Sequence, residues 1–175
     1  LSNDPAPWRV FLRPSRGDTA MAEAKTNAGS KLHICVTPQN EDLTVAEFAA
    51  LIYVQVKKVG SIGERGINTN IVSYDTLDTL VSMKGKGITN AGDPQVEMAE
   101  DLADPGQVAM RAAGAPAVPD AYAFKIENTD GTVEYLRGLV AGPNKPGGRN
   151  EDFRLNTYTI ALNQQPIDVP APVTP

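Results

Sequence analysis

A mainly β domain, an antiparallel sandwich or barrel-like sheet flanked by one or two short helices, is the fold class this sequence predicts. Three observations point there. Glycine and proline, 15 and 14 of the 175 residues, cluster between short apolar runs, the punctuation expected of many turns and short strands. Several of those runs are β-branched or alternate polar with apolar residues. Only two segments carry a helix start signal, and both are short.

Leu32 to Val36 is apolar and β-branched, and Thr37-Pro38-Gln39-Asn40 stops it, so it reads as a first strand. Thr44 and Glu47 have the spacing of a capping box, with Leu43 placed to staple onto Phe48, and a helix of about two turns follows. Tyr53 to Val59 returns to β-branched and aromatic residues and predicts a second strand. The glycines of Gly60 to Gly66 predict a turn or bulge at positive φ. Strands are expected at Ile71 to Tyr74 and Thr79 to Lys84, around Asp75-Thr76-Leu77-Asp78, with Gly85 to Pro94 as a mobile connection.

Gln95 to Glu100 alternates as a half-buried strand does, setting Gln95, Glu97 and Ala99 against Val96, Met98 and Glu100. A second helix is outlined by Asp104 as cap, Pro105 at the first position, Gln107 closing a capping box and Gly114 past the end. Val108 and Met110 to Ala113 would face the sheet. Tyr122, Phe124 and Ile126 alternate into the turn Asn128-Thr129-Asp130-Gly131, and Thr132 to Val140 returns as the second strand of a hairpin. Gly142 to Asn150 predicts a polar loop, and Phe153 to Leu162 a closing strand with Tyr158, Ile160 and Leu162 on one face. Closing or sandwiching about seven or eight such strands leaves few open edges.

The length suits one domain with a sizeable core. Residues 1–20 hold the only Trp, Trp8, and no clear period, and they end just before Met21, so they read as a non-native or vector-derived leader with the domain at 21–165. Pro166, Pro170, Pro172 and Pro175 predict an extended tail without regular structure over 166–175.

The formal charge is −5; setting aside Arg9, Arg13, Arg16, Asp4 and Asp18 of the leader leaves 13 basic and 19 acidic residues, or −6. That balance argues against a surface that binds nucleic acid generically, because phosphate affinity comes from Lys and Arg. Apolar stretches such as Phe48 to Val56 are too short for the roughly 20 residues a membrane helix needs. Cys35 is the single cysteine, so an intrachain disulfide is excluded and Cys35 reads as core.

Catalytic signatures are thin. Gly60-Ser61-Ile62-Gly63-Glu64-Arg65-Gly66 lacks the Gly-Lys-Ser/Thr of a phosphate loop and does not open a helix. His33 is the single histidine, two residues from Cys35, and one of each falls short of the three or four ligands zinc takes. No G-x-S-x-G elbow presents a nucleophile. Carboxylates stand close at Glu97, Glu100-Asp101 and Glu151-Asp152, yet strand alternation puts Glu97 and Glu100 on opposite faces, unlike a glycosidase pair. No enzyme activity and no cofactor are expected. A carbohydrate-binding module would need an aromatic platform from Tyr53, Tyr74, Tyr122, Tyr135 and Tyr158, at least three of which lie in apolar periodic strands.

The order of segments from Val54 onward resembles the major tail tube proteins of lambda-like, long non-contractile-tailed bacteriophages (siphophages). The likeness is carried by Val56-Lys57-Lys58-Val59-Gly60-Ser61-Ile62-Gly63-Glu64, Tyr74-Asp75-Thr76-Leu77-Asp78-Thr79 and the Lys84-Gly85 break. It continues through Asp104-Pro105-Gly106-Gln107 with Arg111-Ala112-Ala113, Tyr122-Ala123-Phe124 before Asp130-Gly131-Thr132, and Ile160-Ala161-Leu162-Asn163. The resemblance implies a virion protein assembled in the host bacterial cytoplasm, whose hexameric rings stack into a hollow tube through which DNA passes. It also implies a tape measure protein, a tail terminator and a distal tail protein as partners, with DNA only transiently in the lumen. By the same resemblance Gly66 to Pro94 contacts the adjacent ring, making Asn68, Asn70, Tyr74, Asp78, Lys84 and Lys86 interface candidates. Glu97 and Glu100 are candidates for the lumen, where a negative wall would keep DNA from sticking, or for the tube exterior. The alternative is a related virion component, a tail terminator or a capsid decoration protein.

Overall fold

The computed structural model describes residues 26–78 and 80–172. The expected leader, the start at Met21, Thr79 and the last three residues of the expected tail lie outside these residues. In chain order the elements are β1 (Lys31–Cys35), α1 (Val45–Ala50), β2 (Tyr53–Val56), β3 (Val59–Ile62), β4 (Asn68–Tyr74), β5 (Met83–Asn90), β6 (Gln95–Ala99), α2 (Pro105–Ala113), β7 (Ala121–Glu127), β8 (Val133–Asn144), β9 (Leu155–Leu162) and β10 (Ile167–Val169). The chain is a mainly antiparallel β domain with few helices, as its alternating short runs dictate.

One sheet runs in the order β2-β1-β7-β8-β9-β6-β3, with β10 added along the start of β8. Its two edges, β2 and β3, are consecutive in sequence, separated only by Lys57 and Lys58. Laid flat, seven strands about 4.8 Å apart would hold those edges about 29 Å from each other. The chain from Val56 to Val59 reaches at most about 11 Å. The sheet must therefore curl until its edges meet, and it forms a barrel with a seam at Lys57-Lys58. Lys58 makes the corner at a φ of +61°, so the run expected as one strand from Tyr53 to Val59 is broken into β2 and β3. Gly60 belongs to β3, next to a bulge in its pairing with β6.

The barrel interior is filled by alternate residues of every strand, among them Leu32, Ile34, Val96, Met98, Phe124, Ile126, Leu136, Tyr158 and Ile160. Helix α2 adds Met110 and Ala113 to this core, while Val108, expected to face the sheet, is exposed. Asp104 caps α2 by accepting from the amide of Gln107, but Gln107 does not reach back to close a capping box. Its side chain bonds instead to the backbone at the barrel seam.

A second, smaller cluster lies on the outer face of the sheet. Here α1, with the expected capping box of Thr44 and Glu47 in place, lays Phe48 on Tyr135 at a ring separation of 5.1 Å. Cys35 and Ala123 are buried beneath them, and Leu43, Leu51 and Ile167 pack around the rim. Ile167 belongs to β10, which corrects the expectation that prolines would keep residues 166–175 free of regular structure. Pro166 and Pro170 only bound the pairing, leaving three residues between them free to join β8.

Two further boundaries differ from expectation. Strand β8 continues through Gly142 and Pro143 to Asn144, past a bulge in its register with β9, where a loop was expected. Gly85 to Asn90, expected as a mobile connection, is most of strand β5. It pairs with β4 alone, as a two-stranded ribbon outside the barrel sheet.

Candidate assembly interface

The ribbon of β4 and β5 is an arm that hydrogen-bonds as a sheet only with itself. Its register pairs Asn68 with Asn90 and Thr69 with Thr89 at the base, where the two threonine hydroxyls lie 2.9 Å apart. After a bulge it pairs Ile71 with Lys86, Val72 with Gly85, Ser73 with Lys84 and Tyr74 with Met83. Because strand side chains alternate, Val72, Tyr74 and Met83 share one face, and Ile71, Ser73, Lys84 and Lys86 share the other. Gly87 lies close under the bulge: a Cβ there would come within 3.2 Å of the Asn70 carbonyl oxygen and a Val72 methyl, which would have to give by a few tenths of an ångström.

The expected interface residues are thus brought together on one element. Asn68 stands at its base, Asn70 at the bulge, Tyr74, Lys84 and Lys86 along its shaft and Asp78 at its tip, all exposed. The Thr76 hydroxyl holds the Asp78 carboxyl below the usual carboxylate range. Neither Lys84 nor Lys86 has an ion-pair partner among the described residues.

The arm is also conspicuously apolar for something so bare. Tyr74 is 69% exposed, Met83 58% and Ile88 88%, while Leu77, Leu80 and Val81 stand uncovered around the tip. Exposed apolar side chains gathered on one element in this way mark an interaction site, because water alone gives them no favourable setting. Nothing in the residue pattern distinguishes these apolar residues from ordinary strand interior; only the absence of a second layer over the ribbon does. The arm's base is anchored by Arg65, whose Nε donates to Glu134 of β8 at 2.6 Å.

Glu97 and Glu100 do not share a setting. Glu97, on β6, has no ion pair among the described residues and lines a groove with the loop that follows β8. Glu100 accepts from Lys145 at 2.5 Å, and that ammonium holds its carboxyl below the ordinary range. Phe153, expected as the start of the closing strand, lies before β9 and is 84% exposed beside Glu97 in the same groove. The alternation that marks β9 does not signal this exposure.

Other candidate chemistry is dispersed. Cys35 is buried under α1, and His33 makes its closest charged contact with Glu127 at 3.9 Å. Among the described residues no group of three or more His, Cys, Asp or Glu is arranged to hold a metal ion. Of the five tyrosines, Tyr122, Tyr135 and Tyr158 are buried and Tyr53 is half-buried, leaving Tyr74 alone exposed.

No protein-family model and no curated protein matches this sequence. Solved structures do share the fold. A chain in the six-fold symmetrised baseplate of the anti-feeding prophage aligns at a TM-score of 0.61 and 8% identity, covering 87% of this chain and 100% of that one. A chain in the structure of an extracellular contractile injection system, with its PVC sheath/tube terminator in the extended state, aligns at 0.59 and 8%, covering 85% and 99%. The present chain therefore shares its fold with a chain of a prophage baseplate and a chain of a contractile injection system, over nearly the whole length of those chains.

Proposed function

We propose that this chain is a structural subunit of a phage tail-type tube, forming hexameric rings that stack around a channel through which DNA passes into the host. The observation that carries the reading is the bare apolar arm of β4 and β5, which leaves the barrel and finds no partner within its own domain. The fold shared with a component of a six-fold symmetrised baseplate supports it. One neighbour comes from a prophage baseplate and the other from a contractile injection system. The lambda-like, non-contractile tail of the sequence resemblance has no counterpart in either, so that finer assignment rests on the resemblance alone.

In this reading the subunit is a virion component with no catalytic role. Its partners are further copies of itself, and a tape measure protein, a terminator and a distal tail protein complete the tail. Asn68, Asn70, Tyr74, Asp78, Lys84 and Lys86 contribute to contacts between copies.

A second reading, a tail terminator, is favoured by the likeness to a chain from a structure that holds a sheath/tube terminator. The two differ in what stops growth. Sedimentation velocity over a concentration series separates them: a tube subunit gives species that lengthen without limit, and a terminator stops at one closed ring. A protein that stays monomeric at every concentration, alone and with tail partners, contradicts both.

A further inference from the structure

We propose that the acceptor for the arm is the groove lined by Glu97, Pro146, Glu151, Asp152, Phe153 and Leu155 on the next copy of this chain. The inference rests on the self-assembly reading and adds to it the surface that receives the arm.

The groove has a volume of about 450 Å³, the scale of a site that can take side chains of a partner. It offers apolar surface from Pro146, Leu155 and the almost fully exposed Phe153, together with three carboxylates. Glu97 and Glu151 have no ion pair among the described residues, and Asp152 accepts only the backbone amide of Arg149. Lys145, the nearest lysine in sequence, is already engaged by Glu100.

The arm is the complementary object. A two-stranded ribbon is thin, so its apolar face (Val72, Tyr74, Met83) and its basic face (Lys84, Lys86) can meet one groove together. Its lysines are the match for unpaired carboxylates, and its aromatic and thioether side chains the match for Phe153 and Leu155. No arm residue lines the groove in its own chain. Arm and groove are therefore two different patches on one surface. Paired head-to-tail they close into rings or grow into a polymer, whereas a reciprocal exchange between two copies would stop at a two-fold dimer and contradict the tube.

The test uses the whole protein at low ionic strength, reading by sedimentation the concentration at which half of it assembles. Replacing both arm lysines, Lys84→Glu with Lys86→Glu, should raise that concentration about tenfold or more, and Glu151→Lys with Asp152→Lys should do the same. Joining all four changes in one chain restores the charge pairing and should bring the concentration back to within about threefold of the original. Each variant should keep the thermal midpoint of the original monomer, since these side chains are exposed. As a second readout, Lys86→Cys with Glu151→Cys, treated with a short bismaleimide, should yield a ladder of covalent oligomers; the native Cys35 is buried and stays out of the reaction. If the original protein assembles but the reversal at Glu151 and Asp152 leaves its threshold unchanged, or no ladder forms, the groove is the wrong acceptor and the self-assembly reading stands. If the original protein never assembles, both fail.

Discussion

The side-chain Nε2 of Gln107 lies 2.9 Å from the carbonyl oxygen of Lys57, and so a residue on the first turn of α2 grips the seam where the barrel closes. The same amide donates to the Ala99 carbonyl at 2.8 Å, and its Oε1 accepts from the Asp101 amide at 2.9 Å. Asp104 completes the clamp, accepting from the amides of Lys57 and Gln107. Gln107 is fully buried, so removing its side chain leaves these backbone groups away from bulk solvent. Gln107→Ala is expected to cost about 2 to 4 kcal/mol, the penalty for stranding buried backbone groups. Urea unfolding should show a lower midpoint at an unchanged m-value.

Next to it, Gly106 reverses a familiar rule. Alanine in a helix interior is ordinarily about 1 kcal/mol better than glycine. At Gly106, however, a Cβ would lie 2.2 Å from the carbonyl oxygen of Gln55 and 2.6 Å from the Cα of Val56. Those are backbone atoms of the edge strand β2, which cannot move aside without opening the seam. Gly106→Ala should therefore destabilise by about 1 to 3 kcal/mol. A neutral or raised thermal midpoint would mean that α2 sits further from β2.

The outer layer hangs on one aromatic contact. Phe48 is buried and stacks on Tyr135, and the remaining turn of α1 is too short to hold itself. Phe48→Ala should cost about 3 to 5 kcal/mol. It should also expose the thiol of Cys35, so that a thiol reagent inert toward the original fold reacts with the variant under native conditions.

Acid sensitivity between neutrality and pH 5 should trace to one group. Burial is the largest effect on His33 and lowers its pKa from the ordinary 6.5; Glu127 and a hydrogen bond to the Lys125 backbone oppose that shift, while the charges of Lys125 and Lys31 reinforce it. The unfolded chain thus binds a proton at a higher pH than the folded one. Stability is full above about 6.5 and falls as the pH drops from there through the folded-state pKa. Because His33 is the only histidine, one imidazole resonance reports the titration, with a midpoint expected below 6.5. His33→Gln should flatten the stability profile over that window.

Most of the barrel could be read from the residues because most of its strands bury one face, and burial writes itself as alternation. Val96 and Met98, or Tyr158, Ile160 and Leu162, announce both the element and its orientation. The arm was half-legible for the opposite reason. It has no buried face, so Lys84-Gly85-Lys86-Gly87 looks like a loop, and only its pairing with Ile71 to Tyr74 makes it a strand. Local signals put Gln107 on a helix, but its partners Lys57 and Ala99 are brought near by barrel closure, which local spacing does not encode. The groove shares that limit: Glu97 lies far in sequence from Glu151 and Phe153, and the pairing of β6 with β9 unites them.

The arm makes a prediction that separates assembly from folding. Tyr74→Ser and Met83→Ser remove apolar surface that no part of the domain covers, so monomer stability should stay within about 0.5 kcal/mol. Assembly should weaken sharply in both, read as the fraction pelleted at fixed concentration. Equal losses of stability and assembly would place these side chains in the fold instead of at an interface.

Electron microscopy of the concentrated protein tests self-assembly most directly. Rings with six-fold symmetry, roughly 100 Å across for six domains of this mass, that stack into hollow tubes are the expected result. Monomers alone at every concentration, or two-fold dimers that never grow, would contradict it.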